Sequence, residues 1–235
     1  MTDVEFPEGA GLVPQYAVPA SDWAIINERA ALTVEMQGVA SELEQYVPNY
    51  PVLLQACTLW RSVTWGALIT QAVDTELFGN DAAAVLEQIS SDLSGVGPND
   101  PVPASISFLT TVQFQALAKT AGELGGAASK LAGGIAGFVA ANRDADASLE
   151  KFPLDGWPTI GGPIDSVERA MAGLQQSWGA IVSQLKAPSG GESKITTAGL
   201  LASNLSAAIS SWDGLAKDAR SFVSMASDLE SETAP

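Results

Sequence analysis

The sequence predicts an all-α protein, an elongated up-down bundle of about five to six long amphipathic helices. Three observations carry that expectation. First, Phe114, Leu117, Ala121, Leu124, Ala128, Leu131, Ile135, Phe138, Asn142, Ala145, Leu149 and Phe152 recur every third or fourth residue without interruption. Such spacing keeps one seam on one side of a helix and winds that helix around its partners. A continuous helix over the stretch would be roughly 60 Å long at about 1.5 Å per residue, the scale of a long bundle. Second, two more seams follow with the same spacing: Ile160, Ile164, Val167, Met171, Leu174, Trp178, Ile181 and Leu185, then Leu201, Leu205, Ala208, Trp212, Leu215, Ala219, Phe222, Ala226 and Leu229. Third, no stretch of useful length alternates apolar and polar residues as a half-buried strand does.

Taken in order, residues 1–20 hold Pro7, Gly9, Gly11, Pro14 and Pro19 with acids at Asp3, Glu5 and Glu8, which reads as an extended arm. Ser21 and Asp22 offer an N-cap for a helix reaching Val47, with Ile25, Arg29, Leu32, Met36, Val39, Leu43 and Tyr46 on one stripe and Pro48 and Pro51 as its stop. From Val52 to Phe78 the chain is apolar nearly all round, with Arg61 the only charge before Asp74. A helix without a polar side is either buried centrally or meets lipid, which makes Leu53, Leu54, Trp60, Trp65, Leu68, Ile69 and Val73 the candidates for membrane or partner contact. Asn80 and Asp81 are placed to cap a short helix ending near Leu93. The run SGVGPNDPVPAS then separates this part from the long helix. PLDGWPTIGGP (residues 153–163) and APSGGES (187–193) are the later breaks, short enough to reverse the chain between neighbouring helices. The expected organisation is an arm over 1–20, an N-terminal helical subdomain over 21–94, a linker over 95–105 and a long-helix bundle over 106–235, together one elongated domain.

The long helix contains Gly122, Gly125, Gly126, Gly133, Gly134 and Gly137, each costing about 1 kcal/mol relative to alanine in a helix interior. Two roles would offset that cost. Gly122 with Gly126, and Gly133 with Gly137, are small-xxx-small pairs that admit a neighbouring helix. Alternatively Gly125, Gly126, Gly133, Gly134 and Gly137 are hinges at which the helix bends or repacks. Asn142 is the one polar residue on the seam, a position suited to fixing register.

Lys and Arg total 11 against 27 Asp and Glu, a formal charge of −16, with no histidine. That balance argues against nucleic acid as a partner, because phosphate binding needs cations to replace counterions. It also disfavours charge-driven adsorption to anionic lipid, so membrane action would rest on apolar surface. Without histidine there is no Ser-His-Asp or Cys-His arrangement. Cys57 is the sole cysteine and sits in an apolar run, so no intrachain disulfide forms and the thiol suits a small core position. Asp144, Asp146 and Glu150 lack the glycine that a calcium loop needs, Ala147 standing there instead; they read as a solvated helix face. The glycine groups follow no strand and form no phosphate loop. No catalytic residue, cofactor or metal site is expected, and the protein reads as non-enzymatic. The first twenty residues lack a basic start followed by an apolar core, so the expected route is release from the cytoplasm without a cleaved N-terminal signal.

The C-terminal half, from Phe108 to Leu229, carries FVAANRDADASLEKF at the end of the long helix, then ERAMAGLQQSWGAIVSQL, a glycine-containing turn and NLSAAISSWDGLAKDARSF. With Trp178 and Trp212 set among leucines, it resembles the tail domain of the alpha-helical pore-forming toxins. That group includes the Hbl and Nhe enterotoxin components, helical insecticidal crystal toxins and the two-component Xax and Yax cytotoxins. The resemblance implies a toxin component that acts on membranes by pore formation or by binding a partner pore-forming subunit. Its partners would be a lipid membrane, a second toxin component or further copies of itself. The chain departs from the family at one place. The family's inserting apolar hairpin lies between the two longest helices, whereas Pro153–Pro163 is too short to insert. The inserting piece is then Leu53–Val73 or Gly122–Ala140, or it belongs to another chain. Trp212-Asp213-Gly214 also spells the W-x-G of exported helical hairpins, but it falls inside a seam rather than in a turn. The rival reading is a cytoplasmic coat or scaffold of the phasin kind, whose acidic amphipathic helices cover a granule.

Overall fold

All regular structure among the described residues is helical. The computed structural model describes residues 14–151, 156–186 and 198–232, with side chains for 16–151, 156–186 and 205–231. The elements are a 3-10 turn (Pro14–Ala17) inside the stretch expected to be an extended arm, α1 (Ala20–Glu35), a second 3-10 turn (Met36–Val39), α2 (Ala40–Leu43), α3 (Tyr50–Leu59), a π-helical turn (Trp60–Thr64), α4 (Trp65–Leu93), α5 (Ala104–Leu149), α6 (Gly161–Lys186) and α7 (Ala198–Glu232). They form an all-α helical bundle.

The long seam folds as one unbroken helix, α5. Each seam residue from Phe114 to Leu149 is buried, while Phe152 lies outside the described residues. The seam of α6 is buried from Ile160 to Leu185, and that of α7 from Leu205 to Ala226. The breaks at 187–193 and at 153–155 lie outside the described residues, as does the side chain of Leu201.

Three local expectations need correction. Around α1 the inward face is Trp23, Ile26, Arg29, Ala30 and Thr33, whereas Val39 and Tyr46 are exposed. The large indole of Trp23 sets the face, and the 3-10 turn at Met36–Val39 shifts the phase before α2, so no single stripe runs to Val47. Asn80 and Asp81 do not start a helix: α4 passes straight through them. Phe78, Ala82, Leu86 and Ile89 are buried on both sides of that point, and a continuous buried seam outweighs a local capping preference. The glycine pairs are not helix contacts either, since a Cβ added at Gly122, Gly126, Gly133 or Gly137 meets nothing within 4 Å. The close approaches are at Gly125, 3.2 Å from Trp178 Cβ, and at Gly134, 3.7 Å from Thr64 Oγ1. Gly133→Ala and Gly137→Ala should therefore each raise unfolding stability by about 0.5–1 kcal/mol in urea titrations. A gain without loss of membrane activity would remove both from the hinge candidates.

Contacts gather the helices into two compact units. The first draws its described residues from Ala72–Ala127 and Leu174–Ser221, the second from Pro14–Gln71, Ala128–Gly173 and Phe222–Pro235. Neither matches the 21–94 and 106–235 segments expected from composition, because α4, α5, α6 and α7 each contribute turns to both units. In the first unit Phe78 packs edge-on against Trp178 and Trp212, with ring centroids at 5.5 and 5.3 Å. Beside it α4 approaches α7 closely: a Cβ at Gly79 would lie 3.0 Å from Ala216 Cβ and from the Trp212 carbonyl. Arg220 pairs with Glu76 at 2.7 Å on the surface. In the second unit Trp23 touches Trp60, Trp65 and Phe222, and Trp60 stacks on Phe138 at 4.3 Å. Arg143 of α5 clamps Asp165 and Glu168 of α6 at 2.6 and 2.7 Å, which holds its guanidinium above its ordinary pKa, first through Glu168.

Candidate functional site

Three features of the second unit are candidates: a polar cluster in its core, an apolar outer face, and a cleft beside the π-helical turn. The cluster begins with Arg29, a fully buried cation on the inner face of α1. Its Nη2 donates to Asp146 Oδ1 at 3.1 Å and its Nη1 to the Pro158 carbonyl at 2.7 Å, and the guanidinium lies 4.9 Å from the Trp157 ring centre. The other Asp146 oxygen accepts the Ile160 amide at 3.2 Å. One ion pair thus ties α1 to the end of α5 and to the backbone entering α6. Thr33 donates to the Arg29 carbonyl, and Tyr50 donates to the Thr33 carbonyl at 2.6 Å. Asn142 spends its amide NH2 on the Phe138 carbonyl of its own helix. Its Oδ1 and Arg29 Nε are buried without a protein partner.

Burial pulls the Arg29 guanidinium below its ordinary value against the pull of Asp146. It pushes Tyr50 up, and it pushes the Cys57 thiol up against the opposing pull of nearby Thr33, Arg29 and Asn142. A fully buried thiol held protonated is a packing group and not a nucleophile. The folded chain holds the Cys57 and Tyr50 protons more tightly than the unfolded chain, so their contribution is complete below the unfolded pKa values. It is lost as pH rises through about 8.5 and beyond. Urea midpoints should fall over that alkaline range, and Cys57→Ala should flatten the fall.

The residues expected to meet membrane or partner divide between two faces of one helix. Leu53, Trp60, Trp65 and Leu68 are buried, Leu54 and Ile69 are half-buried, and Val73 is exposed. The outward apolar side chains of α3 and the π-helical turn are Val52, Leu59 and Val63, 57%, 51% and 59% exposed. Sequence reading missed these three, although an all-round apolar helix signals a second face. Hydroxyls between them are turned back onto their own helix, Thr58 to the Leu54 carbonyl and Ser62 to the Thr58 carbonyl, which lowers the polarity of that face. In the first unit Phe108, Leu109 and Val112 of α5 form a second exposed apolar group, with Thr111 bonded back to Ser107.

The cleft, about 140 Å³, is lined by Asn27, Ala31, Arg61, Trp65, Leu229 and Glu230. The Trp60 indole N–H donates to Asn27 Oδ1 at 2.7 Å, fixing that amide beside it. Among the described residues no group of three or more His, Cys, Asp or Glu is placed to hold a metal ion. No protein-family model, curated protein or solved structure matches this chain.

Proposed function

We propose that this protein is a non-enzymatic helical toxin component acting on lipid membranes, alone or through a partner subunit. The observation that carries the reading is the outer face of α3 and the π-helical turn. Val52, Leu59 and Val63 face outward, the intervening hydroxyls are satisfied internally, and Arg61 is the only charge between Glu44 and Asp74. A chain of charge −16 gains little from anionic headgroups, so an apolar outward face with Arg61 as its one charge is its means of reaching the acyl boundary. The helices Tyr50–Leu93 and Ala104–Leu149 are also long and apolar enough to cross a membrane by length and composition. The resemblance of the C-terminal half to helical toxins points the same way.

Dye release from neutral vesicles, with red-cell lysis beside it, tests the reading. The wild type should release dye, and a Leu59→Glu, Val63→Glu double variant should lower membrane affinity by at least about tenfold while folding normally. Binding to polymer granules without release would make the protein a coat instead.

A further inference from the structure

We propose that one acid-free wall of the second unit, made by α3, the π-helical turn and the stretch of α5 packed on them, docks on a phosphate-bearing lipid surface, with Arg61 and Lys130 taking the phosphates. The inference rests on the membrane reading above and names the headgroup chemistry of that same face. The chain carries 27 acidic residues, yet none lies between Glu44 and Asp74 or between Glu123 and Asp144. Within the second unit these two stretches pack together, Trp60 stacking on Phe138 at 4.3 Å and Gly134 approaching Thr64. From 50 to 71 and from 128 to 142 the only charges are Arg61 and Lys130. Both are exposed, and neither makes an ion pair among the described residues. A chain of charge −16 therefore has one wall with two cations and no carboxylate, which complements phosphate.

The π-helical turn sets the geometry at Arg61. Its wider winding leaves Arg61, Ser62 and Val63 exposed in succession, so the guanidinium stands on the same outward face as Leu59 and Val63. Short aliphatic side chains reach only the acyl boundary, whereas a long arginine stem carries its charged head back to the phosphate level. There its planar N–H groups match two phosphate oxygens. Glu230 lines the cleft beside Arg61, but it has an interaction of its own and forms no salt bridge with Arg61. A second copy of the chain fits this face less well than a bilayer does. Val52, Leu59 and Val63 offer on the order of 200 Å² of apolar surface, against about 800 Å² per partner in a stable protein interface. The apolar side chains alone do not distinguish a phospholipid from an uncharged glycolipid with the same acyl chains; the two cations do.

Flotation of the full chain with vesicles of phosphatidylcholine, and with vesicles of digalactosyl diacylglycerol, tests the assignment; the second lipid is uncharged and holds no phosphate. The wild type should bind phosphatidylcholine about tenfold more tightly. An Arg61→Gln, Lys130→Gln double variant should lose that preference and keep its binding to the glycolipid, while Arg61→Lys alone should keep part of the preference. Free glycerol phosphate should not compete, because an exposed cation without the apolar contact holds a phosphate weakly; full competition would overturn docking on lipid. Circular dichroism checks that the variants fold, both side chains being exposed. Equal binding of the wild type to both lipids would overturn the phosphate assignment and leave membrane action standing. Binding to neither would remove both, and a dimer in ultracentrifugation that Leu59→Glu dissolves would then make a second copy the occupant of this face.

Discussion

Replacing Arg29 with alanine is expected to destabilise the protein by about 3–5 kcal/mol, because Asp146 would be left as a half-buried charge without its partner. Two further losses act in the same direction. The Pro158 carbonyl loses its donor, and Trp157 loses the cation above its ring. The intact pair does not stabilise by that amount, since burial alone pulls the Arg29 guanidinium down and desolvation offsets much of the attraction. Its contribution is to geometry: α1, the end of α5 and the start of α6 meet at one guanidinium and one carboxylate. An Arg29→Met, Asp146→Asn double variant separates the two effects. It carries no orphaned charge, and the carboxamide that replaces the carboxylate can still accept the Ile160 amide, so it should lose only about 1–2 kcal/mol. Urea unfolding of both variants measures the difference. If the single and double variants lose equal amounts, the orphaned charge is not the cause.

The fold was legible where one physical signal acted alone. On α5, α6 and α7 the 3-4 spacing of apolar residues decides the buried face, and the described seam residues lie where periodicity places them. Legibility ended where a distant partner decides. Asp146 reads as part of a solvated acidic face because its partner is 117 residues away, though Arg29 on an otherwise apolar stripe was a signal that some acid must meet it. The glycines of α5 show the same limit from the other side. Their spacing permits a close helix contact, but it does not say whether a helix lies against them, and at Gly122, Gly126, Gly133 and Gly137 none does. At Arg61 the sequence shows an isolated cation in an apolar run. That its neighbours across the cleft are Asn27 and Glu230 depends on how α1, the π-helical turn and α7 pack.

Trp60→Ala should cost about 3–5 kcal/mol, the usual range for deleting a large aromatic side chain from a core. The indole is 1% exposed, stacks on Phe138 at 4.3 Å, touches Trp23 and Trp65, and donates to Asn27. Trp60→Phe keeps a ring against Phe138 and removes the donor. Asn27 is half-buried and water can replace part of the lost bond, so the hydrogen-bond share of the loss should be about 0.5–1.5 kcal/mol. The same helix separates core from surface. Trp60 faces inward and Leu59 outward, one residue apart. Trp60→Ala should therefore lower the unfolding midpoint strongly, whereas Leu59→Glu should leave the midpoint nearly unchanged and reduce vesicle binding. If instead Leu59→Glu unfolds the chain, the outward face is part of a core, and the physical basis for membrane action through α3 is gone.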